Sequence, residues 1–147
     1  MKRFIIKLLA SVLATVLMCS GIGGVSVYAT ESVQPRLDNF NRASFVFGVA
    51  EPGVAEVVVT YSAKEDVFTQ AKLTVEIQKK ILGVFWVPVD IGETNNNWVG
   101  YCSDVYGTFH KTFNVEGTGT YRAIMILEVS GTGGTTDVVE DIIESTY

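Results

Sequence analysis

Between Ala43 and Val129 apolar side chains recur at every second position, with polar ones between them and glycine-bearing turns as breaks. In ASFVFGVA, Phe45, Phe47 and Val49 share a face; in VAEVVVTYS, Ala55, Val57, Val59 and Tyr61 do. LTVEIQKKI sets Leu73, Val75, Ile77 and Ile81 against Thr74, Glu76, Gln78 and Lys80. GTFHKTFNVE continues with Phe109, Phe113 and Val115, and TYRAIMILEVS with Tyr121, Ala123, Met125, Leu127 and Val129. On an extended chain, side chains two apart point the same way, so each run predicts a strand with one buried face. EPG at 51–53, LG at 82–83, GTG at 117–119 and GTGG at 131–134 supply the turns. About seven short strands at hairpin spacing predict an all-β fold, an antiparallel β-sandwich.

Two stretches depart from the pattern. SAKEDVFTQAK has no clear alternation and reads as a crossing loop with a helical turn, Phe68 tucked beneath it. In TTDVVEDIIES a helix would gather Val138, Val139, Ile142 and Ile143 on one face, with Asp137 and Glu140 as a capping box, whereas a strand leaves apolar residues on both sides. We read a strand over 135–145, because a hairpin across GTGG gives the preceding strand a partner.

The N-terminus follows a different rule. MKRFIIK carries Lys2, Arg3 and Lys7 and no acid; Leu8 to Cys19 is apolar apart from Ser11 and Thr15; VSVYAT then puts small residues, Val27 and Ala29, at the cleavage positions. This predicts a secretory signal peptide at 1–29, cut after Ala29, a polar leader at 30–42 and the sandwich at 43–147. The apolar run is too short to span a bilayer, which takes roughly 20 residues. Cys19 follows Val16, Leu17 and Met18 rather than a small residue, which disfavours lipidation. The expected location is extracellular.

Cleavage sharpens the charge. Three of the 11 basic residues and none of the 16 acidic ones fall within 1–29, so eight against 16 remain, a net charge of −8. Nucleic acid and anionic membrane surfaces need clustered Lys and Arg, and net charge weighs against both as partners. Cys102 is then the lone cysteine, so no internal disulfide is expected; in WVGYCSDVY its apolar setting favours a buried thiol and a monomer over a dimer bridged through it.

VEIQKKILGVFWVPV followed by KTFNVEGTGTYRAIMILEV resembles small exported proteins of Gram-positive bacteria with an immunoglobulin-like or fibronectin-III-like sandwich, over roughly 43–147. The resemblance implies that Tyr121 is a corner tyrosine and that Trp86 packs on the sandwich. Ala123 stands where immunoglobulin domains carry their second cysteine, so the inter-sheet disulfide is absent. It brings no catalytic residues and no cofactor.

Catalytic and metal chemistry find little support in the sequence. His110, the only histidine, alternates opposite Phe109 and Phe113 and is expected to face solvent. A Cys102–His110 nucleophile pair has no surrounding signature, and Asp104 would raise the thiol pKa rather than lower it. One histidine and one cysteine do not make a zinc site. Asp137, Glu140, Asp141 and Glu144 could offer oxygens to calcium, but their spacing is not that of an EF-hand, and acids guarding an edge strand explain them better. SGTGGTTD lacks the lysine of a phosphate loop.

The aromatic window GVFWVPVDIGETNNNWVGY, 83–101, holds both tryptophans. As a strand it sets Phe85, Val87, Val89 and Ile91 on one face and Val84, Trp86, Pro88 and Asp90 on the other; Pro88 suits an edge. Aromatic rings beside asparagines suit stacking on sugars, while the bland alternative is that Trp98 closes the core and Trp86 covers a sheet. The sequence therefore predicts a secreted, non-enzymatic binding or adhesion-like module. Its ligand would be a glycan, cell-wall material or a protein, met through Trp86, Asn96, Trp98 and Tyr101. A bacteriocin-like or toxin-like effector is the alternative.

Overall fold

The computed structural model describes residues 37–147; the expected signal peptide and most of the leader lie outside the described residues. Eight strands follow: β1 (Phe40–Ala50), β2 (Val54–Ala63), β3 (Phe68–Ile81), β4 (Phe85–Pro88), β5 (Asn97–Cys102), β6 (Tyr106–Asn114), β7 (Thr120–Gly131) and β8 (Asp137–Thr146). A single 3₁₀ turn, Thr94–Asn96, precedes β5. All pairings are antiparallel. One sheet has the order β1-β2-β6; the other runs β4-β3-β7-β8, with β5 sharing the β4 edge of β3. No helix among the described residues is long and apolar enough to cross a membrane.

The alternating positions form one core between the sheets, a sandwich-like all-β arrangement. Ala55, Val57, Val59 and Tyr61 of β2 meet Ala71, Leu73, Val75 and Ile77 of β3 and Tyr121, Ala123, Met125, Leu127 and Val129 of β7, all buried. Tyr61 lies over Gly107, its register partner on β6, where any Cβ would collide with the phenol ring. The missing side chain of Gly107 is therefore what admits the ring.

Three expectations change. Ile81 does not join the core face of β3; it is exposed, two residues past Lys79, where the pairing of β3 with β7 stops. The crossing loop shrinks to Lys64–Val67, since Phe68 already opens β3; a register shift between Phe68 and Gln70 is what hides the alternation there. The strand count rises from about seven to eight because the 83–101 window divides into β4 and β5. The last segment is a strand hairpinned to β7, with Asp137, Val139, Asp141 and Ile143 on the inner side and Val138, Glu140, Ile142 and Glu144 on the outer.

Each end of the sandwich is tied. At one, the buried Asp137 carboxylate accepts the backbone N–H groups of Asp38 (3.0 Å), Asn39 (2.6 Å) and Phe40 (3.2 Å). The Asn39 amide donates to Thr135 O and its oxygen accepts from Gly133 N. β1 therefore starts at Phe40, earlier than the leader boundary at 42 implied, and its entry is fixed by the start of β8. At the other end Tyr121 donates from its hydroxyl towards the carbonyls of Glu116 and Gly117, and Gly119 and Tyr147 exchange two backbone hydrogen bonds.

Replacing Asp137 by Ala would strip three donors of a buried acceptor and leave them unsatisfied. A loss of about 2–4 kcal/mol is expected, read as a lower urea midpoint with unchanged slope. A loss below about 0.5 kcal/mol would show that water replaces the carboxylate.

Candidate functional site

β4 and β5 take successive places along one edge of β3, and their registers decide where each aromatic points. Trp86 pairs with Lys80 and Tyr101 with Lys72, both on the outer face of the five-stranded sheet; Trp98 pairs with Val75 and points inward. Trp98 meets Phe109 and Phe113 edge-on, with ring centroids 6.4 Å apart in both pairs. Its indole lies across Gly100, where an added Cβ would fall 2.5 Å from the ring. Trp98 thus closes the core edge between β5 and β6. Asn96 sits in the 3₁₀ turn at positive φ, as does Asn95, a backbone state that asparagine tolerates better than most residues.

The four aromatic and amide positions singled out by the sequence do not converge. Trp86 and Tyr101 share a face but sit eight residues apart along β3, roughly 27 Å at strand spacing. Trp86 is enclosed by cations: the Arg122 guanidinium lies 4.3 Å and the Lys80 ammonium 5.1 Å from its ring centre. Arg122 also donates through Nε to Gln78, so the stack is held from two sides.

The β3–β4 hairpin carries the signal that alternation obscured. Leu82 and Gly83 have φ of 53° and 71°, and Val84 N–H closes a β-turn on Ile81 O with positive φ at both central positions; Ile81 pairs with Phe85, so 82–84 form the loop. Ile81, Leu82, Val84, Phe85 and Val87 are all exposed, Leu82 to 85%. Beside them Lys79, Val87, Val89, Ile91, Glu116 and Tyr121 help line an open cleft of about 690 Å³. Val89 and Ile91 pack against the core margin, while Phe85 and Val87, on the same strand face, lie beyond it. LG was legible as a turn; that its flanks run past the last β3–β7 pair and are exposed was not.

The remaining candidates stand apart. His110 lies on the outer face of the small sheet, 2.7 Å from Glu56, while Cys102 lies on the inner side of β5 with its thiol 3.8 Å from Asp104. The acids of β8 alternate between faces, with Asp137 occupied by backbone donors. Among the described residues no three His, Cys, Asp or Glu side chains gather into a metal-binding group. Burial, then its neighbours Cys102 and Asp104, raises the pKa of the Tyr61 phenol above its ordinary value. Its hydroxyl donates to Asp104 O at 2.7 Å. No protein-family model and no curated protein matches the chain.

Two outcomes follow from these placements. Trp98→Ala should cost about 3–5 kcal/mol and Trp86→Phe less than about 1.5 kcal/mol, measured by urea unfolding; equal losses would contradict the core placement of Trp98. An unfolded Tyr61 ionises near pH 10 and the folded one only higher, so its stabilising contribution is complete below that pH and fades as pH rises through it. Tyr61→Phe should flatten the alkaline fall in stability, and an unchanged slope between pH 9 and 11 would refute this.

Proposed function

We propose that this chain is an exported, non-enzymatic binding module of the immunoglobulin-like or fibronectin-III-like kind, which meets its ligand at the β3–β4 end. The strand order supports the kind of fold: β1-β2-β6 facing β4-β3-β7-β8 corresponds to strands A-B-E facing C′-C-F-G of such sandwiches. Tyr121, bonded to carbonyls four and five residues upstream, makes the contact of a corner tyrosine. Export rests on the cationic, apolar and small-residue succession of 1–29.

The observation that carries the binding reading is the exposed apolar hairpin tip. Isolated surface leucines are ordinary, but contiguous apolar patches mark contact sites. Five of the 11 large hydrophobics exposed among the described residues fall within the seven positions 81–87. Of Trp86, Asn96, Trp98 and Tyr101, Trp86 alone belongs to this surface.

The test is retention of the 30–147 chain on isolated cell envelopes of a Gram-positive bacterium. Leu82→Asp should reduce retention at least about tenfold, a change of roughly 1.4 kcal/mol in binding, with the unfolding midpoint unchanged. Retention that survives the substitution would remove the hairpin from the binding surface.

A further inference from the structure

We propose that the β3–β4 hairpin dips into an anionic lipid bilayer, an inference that rests on the reading of this end as the binding surface. The first argument is local. A β-turn with positive φ at both central positions is suited to Asn-Gly, yet Leu82 occupies the first at φ 53° with 85% of its surface open. Neither backbone preference nor solubility favours a leucine there. Backbone outliers of this kind concentrate where a contact is made.

The second argument is the surrounding charge. From Ile77 to Val89 the chain has no acid, although the protein as a whole is acidic. Lys79 and Lys80 stand at the base of the hairpin, and Arg122 reaches the same place from β7. Three carboxylates lie near: Glu144 is Arg122's register partner on β8, and Asp90 and Glu116 line the cleft beside Lys79. Net charge weighed against a lipid surface, but the distribution of charge places a cationic collar directly behind an apolar tip. Level with Lys80, its register partner, sits Trp86, held by Lys80 and Arg122. An apolar tip backed by an indole with cations on it matches acyl chains below an interfacial zone of anionic headgroups.

Dimensions agree. The last β3–β7 pair is Lys79 with Tyr121, and the turn lies two to three residues further along. At strand spacing the tip projects roughly 7–10 Å, the depth to which peripheral segments enter the headgroup and acyl boundary. The tip itself, Leu82 to Val87, carries no amide or carboxylate side chain, which separates it from a sugar site.

The test uses the 30–147 chain, which contains the whole two-sheet core, with phosphatidylcholine vesicles made with and without phosphatidylglycerol. Sedimentation with the anionic vesicles is expected, with binding at least about tenfold weaker to neutral ones. In a Trp98→Phe background, Trp86 emission should shift to the blue on binding. Leu82→Asp should abolish sedimentation, and Lys79→Gln with Lys80→Gln should weaken it and reduce its salt dependence. Absence of sedimentation, or sedimentation indifferent to Leu82→Asp, would overturn the proposal. If envelopes retain the chain through Leu82 while lipid vesicles do not, the hairpin remains the binding surface and lipid is the wrong partner. A dimer seen by light scattering and dissolved by Leu82→Asp, without vesicle binding, would likewise overturn lipid and make a second copy the occupant.

Discussion

The pairing of β3 with β7 is the constraint on which the rest of the molecule depends. Both are long, both contribute unbroken inner rows of fully buried side chains, and together they form the middle of the five-stranded sheet. A central pair buried on its inner face cannot slip by one residue without turning its whole apolar set outward. With that register set, β8 adds to one side and β4 and β5 to the other. β3, at 14 residues, has more length than β7 opposes, and the surplus becomes the hairpin.

Tying at the two ends solves a separate problem. Strand ends leave backbone donors and acceptors without ladder partners, and burying them unsatisfied is costly. Asp137 and Asn39 meet this need where β1 enters, and Tyr121 does so where β6 passes into β7. The polar residues that interrupt the core thus act as connectors, and every described buried side-chain nitrogen or oxygen has a hydrogen-bond partner.

Much of the fold was legible because period-two alternation is a direct readout of a half-buried strand. Val57, Val59, Leu73, Val75, Met125 and Leu127 could be assigned to the core by parity alone. Parity fails where geometry changes along a strand. Ile81 keeps the parity of Ile77 but lies past the last β3–β7 pair and is exposed, and the register shift after Phe68 conceals the start of β3. The aromatic window misled for a related reason: proximity in sequence suggested that Trp86, Asn96, Trp98 and Tyr101 act together, whereas a break between β4 and β5 separates their faces and positions. The lipophilic tip was visible only as an LG turn, since exposure depends on where the neighbouring strands stop.

The surplus of β3 beyond β7 has a further consequence. Leu82, Val84 and Phe85 stand outside the packed interior, so replacements there leave most native contacts intact. The proposed determinant of adhesion and the determinant of foldability occupy different stretches of the same hairpin. Drift at the loop therefore leaves the fold in place, an evolutionary freedom that the buried rows of β3 and β7 do not have, and under the proposed reading it is the loop that would retune adhesion.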